Sequence, residues 1–316
     1  MIKSFFLIFL SLAATACFAQ LHWTNVDSRY GPLPPSVHIY YAESSPDTGA
    51  FRAYYLIADL KDKKLQFTTD TTNGRRITPT AYYNRNAQPL VVVNGTFFSF
   101  ETNRNLNLVI KDGNIVSYNV HQLHRKQDSG KVSFVFPSAI GISRKRKADV
   151  AWVFADSSFR SKVRATQDAL PVMVSPRRDS SMAAIGLSGK AFPKWKMQTA
   201  IGGGPVLVQD GRVQISNNQE AKFAGKAIHD KHPRTAMGYT ADNKLIILVI
   251  EGRNPAARGA SLIETANMLK DLGCVEALNL DGGGSSCLLI NGKETIRPSD
   301  KVQRSVPAVF EIRLRK

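Results

Sequence analysis

Cysteine is scarce in this chain: its 316 residues include only three, Cys17, Cys274 and Cys287. Cys274 and Cys287 lie on either side of a glycine-rich run, and in an oxidising compartment one disulfide between them would pin that loop. Two unlinked buried thiols explain the pattern equally well, because free cysteine is often a small core residue. Neither has a Cys or His partner at zinc spacing, so the sequence gives no indication of bound zinc.

Long apolar runs are also missing. The N-terminal stretch 5–14 is uncharged and apolar, but it is too short to span a bilayer as a stable helix, and no other run is longer. Lys3 precedes this stretch and small residues follow it, so residues 1–19 are predicted to be a signal peptide. We therefore expect an exported protein, periplasmic or extracellular. Lipid anchoring at Cys17 is the less favoured alternative, because the Leu that usually opens a bacterial lipobox is missing.

Acidic residues are outnumbered by basic ones. The chain has 42 Lys and Arg residues against 25 Asp and Glu, which gives a formal net charge of +17. This charge favours anionic partners such as anionic polysaccharides and phosphate-bearing glycans. We expect a glycan or sugar-phosphate partner and no nucleic acid, which an exported protein seldom meets. The densest basic run, 144–147, is predicted to be a solvated loop.

The chain contains no internal repeat and no low-complexity linker, so residues 20–316 are predicted to form one domain. Short runs rich in β-branched and aromatic residues alternate with segments that contain Gly or Pro, which is typical of strands. The predicted fold class is α+β, with mostly antiparallel, strand-rich sheets and a few packed helices. The predicted strands include 37–41, 53–60 and 64–69, as part of the same domain, and 90–93, 245–250 and 308–314.

Local signals mark three hairpins and one helix. Asp-Gly and Asn-Gly pairs between apolar runs tolerate the positive φ angles of tight hairpin turns. Such pairs occur at Asp112-Gly113, Asp210-Gly211 and Asn291-Gly292. Ser261 and Glu264 form a capping box at the start of a helix, and Gly273 is placed to end it. This helix leads directly into an apolar strand that ends at the glycine-rich run.

Two common catalytic signatures are missing as well. No G-x-x-x-x-G-K-[ST] spacing indicates a P-loop, and no G-x-S-x-G elbow indicates an activated serine. Instead, four segments place polar side chains next to glycine, a combination that packing alone does not require. They are 94–98, 202–205, 232–236 together with 251–253, and 281–286.

Two carboxylates in these segments, Glu251 and Asp281, each follow a predicted buried strand. If they converge on one pocket, they supply the pair of acidic groups that glycoside hydrolysis needs. Arg234 and Arg253 can bind a phosphate with bidentate geometry. For any single residue, an Arg–carboxylate network that only ties loops together is an equal alternative. The four segments taken together favour a functional site.

The stretch 232–292 contains five motifs in a fixed order. They are a Pro-Arg-Thr-Ala segment, an acidic-Gly-Arg triplet after a strand, a Gly-Ala-rich helix start, a Leu-Gly helix end and the run Asn-Leu-Asp-Gly-Gly-Gly-Ser-Ser. This order closely resembles the phosphodiester glycosidase family. The segments 94–98 and 202–205 resemble two further motifs of that family, so the resemblance runs from about residue 90 to residue 316. Thr96 stands where the family commonly has Gly, and Glu251 where it often has Asp.

The resemblance implies a hydrolase that cleaves the glycosidic bond of a sugar 1-phosphodiester and releases a free sugar and a phosphomonoester. Asp281 would be the base for water or the nucleophile, and Glu251 would take the other carboxylate role. The arginines would stabilise the charge of the leaving phosphate. The predicted substrate-binding residues are Asn94, Thr96, Gly203, Gly204, His232, Arg234, Arg253, Asn279, Gly282, Gly283 and Ser285.

Two other classes of protein share part of this pattern. A non-catalytic glycan-binding module would keep the glycine loops but would not need Asp281 and Glu251 together. A metal-dependent phosphodiesterase could use both carboxylates as ligands, but clustered His and Asp residues are scarce. We predict no cofactor and no catalytic metal, with a structural divalent cation left open. The substrate is expected in a cell-envelope, capsular or dietary glycan.

Overall fold

The computed structural model describes residues 21–44, 49–124, 132–155, 163–175 and 192–315, so the predicted signal peptide and Cys17 lie outside the described residues. The strands are β1 (Thr24–Asn25), β2 (Val37–Ser44), β3 (Phe51–Asp59), β4 (Leu65–Thr71), β5 (Val91–Asn94), β6 (Val109–Lys111), β7 (Asn114–Ser117), β8 (Gln122–His124), β9 (Val132–Phe134), β10 (Ser138–Ile142), β11 (Ala148–Phe154), β12 (Arg164–Thr166), β13 (Met173–Ser175), β14 (Thr199–Gly202), β15 (Val206–Gln209), β16 (Arg212–Val213), β17 (Arg234–Thr240), β18 (Lys244–Ile250), β19 (Cys274–Asn279), β20 (Leu288–Ile290), β21 (Lys293–Glu294) and β22 (Ala308–Leu314). The α-helices are α1 (Asp27–Tyr30), α2 (Pro79–Arg85), α3 (Asn217–Glu220) and α4 (Leu262–Asp271).

These strands assemble into antiparallel sheets. The largest has eight strands in the order β1-β2-β3-β18-β17-β19-β15-β16, and another has five in the order β21-β20-β5-β22-β4. A six-stranded sheet runs β12-β11-β10-β14-β6-β7, and a three-stranded sheet runs β13-β9-β8. The described chain is therefore strand-rich and antiparallel with few helices, as the sequence predicts.

The N-terminal strands pair directly with strands from the C-terminal part of the chain. Strand β3 lies beside β18 along its length, from Lys244 opposite Asp59 to Ile250 opposite Ala53. Strand β4 pairs with β22 over seven residues. The predicted strands at 37–41, 53–60, 64–69, 90–93, 245–250 and 308–314 are all present, with ends shifted by a few residues.

Strand β18 is buried on both faces, which explains its continuous apolar sequence. Alternate residues join the largest apolar cluster, which lies between the sheets: Leu245, Ile247 and Val249. The others face a second cluster on the opposite side of the sheet: Ile246, Leu248 and Ile250. Helix α4 covers that second face with Leu262, Ala266 and Leu269.

The local signals of the sequence hold in the structure. The Ser261 hydroxyl accepts a hydrogen bond from the Glu264 amide (3.1 Å), and the Glu264 carboxylate accepts one from the Ser261 amide (2.8 Å), so the capping box of α4 is complete. Gly273 follows the helix with φ +84°. The three predicted hairpins join β6 to β7, β15 to β16 and β20 to β21.

Two expectations are corrected by the fold. Cys274 and Cys287 are both free and buried, so the disulfide option is wrong; Cys274 packs against the α4 face of the large sheet, whereas Cys287 belongs to a different apolar cluster in the five-stranded sheet. In the basic run, Arg146 is half-buried rather than solvated. Its guanidinium donates to the backbone oxygens of Leu60, Asp62 and Leu65, because the turn packs against the loop before β4.

Candidate active site

The four glycine-bearing segments meet at one end of the inner strands of the large sheet. Strand β17 is antiparallel to both β18 and β19, so its first residue lies beside the last residues of those two strands: Arg234 is opposite Ile250, and Ala236 is opposite Asn279. The segment 202–205 is held there by a hydrogen bond from the Gly204 amide to the Asn279 oxygen (2.7 Å). The end of β5 is attached through Asn94, as described next.

Asn94 is fully buried and works as a connector. Its side-chain amide donates to the Asp281 backbone oxygen (2.6 Å), and its oxygen accepts from the Thr235 hydroxyl (2.9 Å) and the Cys287 amide (3.0 Å). It therefore links β5, β17 and the glycine-rich run. In this structure its polar atoms are used within the protein, and the predicted contact of Asn94 with a sugar hydroxyl stays a prediction.

Thr96 and Asn279 have the same supporting role. Each is only 1% exposed. The Thr96 hydroxyl donates to Asn105, which in turn donates to Thr71, and the Asn279 side chain donates to the Gly204 oxygen (3.2 Å). These hydrogen bonds hold neighbouring loops in place, and the predicted contacts of the two side chains with substrate stay predictions.

Asp281 is the carboxylate that the structure leaves open. It follows β19, is partly exposed, and is fixed by the hydrogen bond of its amide to the Gly95 oxygen (3.0 Å). Desolvation raises the pKa of Asp281 to about 6, although hydrogen bonds from Ser285 and the Gly282 backbone and the charges of Arg304 and Lys222 act in the opposite direction. The group is thus ionised at neutral pH but able to take up a proton just below it.

Basic side chains lie at the same end of these strands. Desolvation and the nearby Arg253 lower the pKa of Arg234 to about 10, so the Arg234 guanidinium remains charged at neutral pH. Arg234 is anchored by the backbone oxygens of Ala260 (2.9 Å) and Asp230 (3.1 Å), while Arg253 is exposed. Neither arginine is paired with a carboxylate among the described residues, and guanidinium groups of this kind are suited to bind an oxyanion.

His232 adds a neutral donor or acceptor to these two arginines. Its Nδ1 lies 3.5 Å from an Arg253 nitrogen. Desolvation and the charges of Arg234 and Arg253 lower the pKa of His232, so its ring is neutral at pH 7. The predicted pair Arg234 and Arg253 and the predicted His232 are therefore brought together.

Glu251 has a different environment from Asp281. It is buried, and its carboxylate accepts hydrogen bonds from the Asn254 side chain (3.1 Å) and the Arg297 amide (3.0 Å). These partners belong to the loop after β18 and to the loop between β21 and β22, so the group ties two loops together. A reacting role for Glu251 stays a prediction.

At most of the predicted glycines, the missing side chain allows neighbouring parts of the protein to pack closely and does not open space for a ligand. A side chain on Gly203 would meet the Asn279 backbone oxygen at 2.4 Å, and one on Gly282 would meet the Pro233 oxygen at 2.8 Å. Gly204 is closed in the same way by Glu220 and Lys222. Gly283 has φ +60° and lies against the Arg253 guanidinium, so it is the glycine of the set that borders the basic groups.

Two cationic residues of the site gave no signal in the sequence. Lys222 follows the short helix α3; its charge acts on Asp281 and Glu220, and burial lowers its pKa. Arg304 lies in the loop before β22, bonds to Asp300, and donates to the Ser285 hydroxyl (3.4 Å). Neither belongs to a motif, and only the tertiary structure brings them to Asp281.

Ser285 is 1% exposed, so its hydroxyl supports Asp281 and Arg304 from below. An exposed aromatic ring extends the site outwards: Phe100 is 63% exposed, and the Arg76 and Arg304 guanidinium groups lie 5.2 and 5.4 Å from its centroid.

Within the described ranges, no three His, Cys, Asp or Glu side chains converge as a metal site would require. In the same part of the chain, no helix is long and apolar enough to cross a membrane.

Comparison with solved structures supports the fold. The catalytic domain of zebrafish N-acetylglucosamine-1-phosphodiester α-N-acetylglucosaminidase, auto-inhibited by its pro-peptide, superposes with a TM-score of 0.60 at 19% identity, covering 93% of this chain and 88% of that one. A hypothetical protein from Synechocystis gives a TM-score of 0.60 at 17% identity, covering 94% of this chain and 68% of that one.

Sequence comparison identifies the family to which the chain belongs. The mouse N-acetylglucosamine-1-phosphodiester α-N-acetylglucosaminidase is 32% identical over 105 residues, 31% of this chain and 20% of the mouse protein. The prophage-derived protein YomE of Bacillus subtilis is 37% identical over 76 residues, 24% of this chain and 12% of that protein. The aligned part is thus a small share of each relative. The model of the phosphodiester glycosidase family matches residues 87–313, most of the chain. The chain belongs to the phosphodiester glycosidase family, a family of hydrolases.

Proposed function

We propose that this protein hydrolyses the glycosidic bond of a sugar 1-phosphodiester in an exported compartment. The observation that carries the proposal is that Asp281, a partly exposed carboxylate with Arg304 and Lys222 close enough to act on its pKa, lies two residues before Gly283, which borders the Arg253 guanidinium. A phosphodiester needs both kinds of group: an acidic residue for the sugar carbon and cations for the phosphate.

The proposed reaction uses Asp281 at the anomeric carbon. The bond from that carbon to the phosphate oxygen breaks, the oxygen of water ends in the free sugar, and the phosphomonoester leaves with the bonding electron pair. Asp281 acts as the base that takes the proton of water, or as the nucleophile of a first displacement that water then completes. The leaving phosphate needs little protonation because it is already a stable anion.

The arginines are proposed to bind the phosphate. Arg253 is exposed beside Gly283, Arg234 is buried close enough to feel its charge, and the charges of both lower the pKa of His232. Guanidinium groups that are held in place before the reaction stabilise the growing negative charge on the leaving oxygen without reorganisation. Ser285, Arg304 and Lys222 are proposed to hold the Asp281 carboxylate in position.

The substrate class follows from the relatives and the charge. The mouse and zebrafish proteins are named for an N-acetylglucosamine 1-phosphodiester, so this compound class is the first to test. The net charge of +17 favours a diester within an anionic glycan of a cell envelope, capsule or diet.

Cleavage in ¹⁸O-labelled water tests the proposal. We expect the label in the released sugar and none in the phosphate, and we expect the Asp281→Asn variant to release sugar at least about a hundredfold more slowly. Label in the phosphate together with inhibition by a chelator would indicate a metal-dependent phosphodiesterase. Binding of the glycan without turnover, unchanged in Asp281→Asn, would indicate a glycan-binding module.

The proposed second carboxylate, Glu251, needs its own test because its contacts tie loops together. Glu251→Gln should be measured for both kcat and melting temperature. A fall in kcat as large as that of Asp281→Asn at an unchanged melting temperature would support a reacting role. A lower melting temperature with kcat retained would assign Glu251 to loop support alone.

A further inference from the structure

A polar cavity lies away from Asp281, at the start of β14. Its volume is about 270 Å³, and its lining includes Gln66, Arg144, Arg146, Thr199 and Arg315. Thr199 opens β14, the strand whose other end leads into the 202–205 segment of the active site. At about 3.3 Å per residue, Thr199 and Gly203 are separated by about 13 Å along the strand.

Three arginines from two separate parts of the chain face this cavity. Arg144 and Arg146 belong to the turn between β10 and β11, and Arg315 follows β22. Burial and the charge of Arg315, which lines the same cavity, lower the pKa of Arg146, while Asp62 and Asp59 act in the opposite direction. Asp112, on the hairpin turn between β6 and β7, is the carboxylate that also lines the cavity.

The arginines keep hydrogen-bond donors free. A guanidinium group has five N–H donors. Arg146 uses three of them on the backbone oxygens of Leu60, Asp62 and Leu65, which fixes the group in place and leaves two. Arg144 donates from its Nε to Gln198 (3.1 Å), and the ends of its guanidinium have no hydrogen-bond partner in the described part of the chain. The fixed Arg146 and the exposed Arg144 and Arg315 together form a concave basic surface.

A buried hydroxyl adds a second, independent observation. Thr199 is 1% exposed, and its hydroxyl has no hydrogen-bond partner among the described residues. A buried polar atom without a partner costs free energy, so such atoms normally have one. An oxyanion in the cavity that Thr199 lines would accept this hydroxyl hydrogen together with those of the arginines.

We propose that this cavity is a second anion-binding site, specific for a phosphate dianion, either free or as a monoester on a sugar. Tetrahedral phosphate offers several oxygens to donors that converge from different directions, and it matches guanidinium geometry. A carboxylate has only two oxygens to share among Arg144, Arg146 and Arg315, whereas phosphate has more. The site is independent of the proposed glycosidase reaction, because it shares no residue with the Asp281 site.

Titration calorimetry with inorganic phosphate in chloride buffer tests the second site. We expect the wild-type protein to bind two phosphate ions, one at Arg234 and Arg253 and one in the cavity. The double variant Arg144→Gln/Arg315→Gln should lose one of the two, with the affinity of that site at least tenfold weaker. Thr199→Val, which keeps the side-chain shape, should weaken the same site by about three- to tenfold.

Lys145→Gln is the matched control, because Lys145 is exposed on the same turn and does not line the cavity. It should bind phosphate as the wild type does. An equal loss in Lys145→Gln, or two phosphates still bound by the double variant, overturns the proposal, as does a single wild-type site that only Arg253→Gln removes. Titration with glucose 6-phosphate assigns the source: tighter binding than inorganic phosphate supports an esterified ligand, and weaker binding supports the free ion.

Discussion

A residue that takes a proton from water works best when its pKa lies near the operating pH. Asp281 meets this condition because desolvation raises its pKa to about 6. We predict an acid limb in the pH profile of kcat/KM with a midpoint near pH 6, since the ionised form is the active one. Asp281→Asn should lower kcat by about a hundred- to ten-thousandfold. A variant within tenfold of the wild type would contradict this role.

The raised pKa of Asp281 also affects stability. Its pKa is about 6 in the folded protein and 3.8 in the unfolded chain, so the associated stabilisation is fully present below pH 3.8 and is lost as the pH rises through 6. We predict that Asp281→Asn is more stable than the wild type at pH 8 by about 1–2 kcal/mol. The difference should shrink below pH 5 in urea denaturation. If Asp281→Asn were less stable than the wild type at pH 8, burial of the ionised Asp281 carboxylate would not be destabilising.

Arg253 is expected to act on the phosphate without holding the fold. It is exposed and lies against Gly283, so replacement should leave the melting temperature unchanged. We predict that Arg253→Gln lowers kcat/KM by about a hundredfold, the effect typical of a lost charge-stabilising donor. Arg258→Gln, which changes an exposed arginine of the same loop, is the control and should have normal activity. Equal losses in both variants would point to general charge rather than to a site.

The sequence predicted the segments that form the candidate site better than the side chains that are exposed in it. Asn94, Thr96 and Asn279 stand in glycine-bearing motifs, yet all three are buried and hold loops. Asp281 lies in the same kind of motif and is partly exposed. The difference depends on how the loops pack on one another, which spacing along the chain does not encode. Lys222 and Arg304 were missed for the same reason.

At the level of elements, signals that act over a few residues were predicted correctly. The capping box of α4 and the three hairpins need only neighbouring residues and permitted φ angles. The neighbour of each strand was not predicted. Strand β3 pairs with β18 almost two hundred residues later, and this choice is decided by which apolar faces can be buried together.

One buried carboxylate joins several of these elements. Glu220, at the end of α3, accepts hydrogen bonds from Ser138 in β10, Trp152 in β11, Ser216 and the first amide of β15. In Glu220→Gln, an amide group would face these donors with its own hydrogens. We predict a loss of about 2–4 kcal/mol in the free energy of unfolding at pH 7, measured with urea.

The control for Glu220 is Glu101→Gln, which changes an exposed carboxylate and should alter stability by less than about 0.5 kcal/mol. A small effect at both positions would mean that the connected strands hold together by apolar packing alone. Because Glu220 also lies beneath Gly204 and its charge acts on Lys222, the variant is expected to lower activity as well as stability.

At the level of the whole molecule, the two ends of β14 lead to two different candidate sites. One end carries Asp281 with its basic neighbours, and the other carries the cavity of Arg144, Arg146 and Arg315. Both ends are basic, in agreement with the net charge of +17. A long anionic glycan would therefore be attracted to more than the one place at which it is cut.

This charge leads to a prediction about salt. Electrostatic attraction between protein and substrate accelerates their encounter and is screened once the Debye length falls below the separation of the charges. For a diester with a polyanionic aglycone, kcat/KM should fall about three- to tenfold between about 0.05 and 0.5 M NaCl, whereas kcat should stay constant. A methyl phosphodiester of the same sugar carries one charge and should show a much smaller change. Equal salt dependence for both substrates would mean that the excess charge of the chain does not take part in substrate capture.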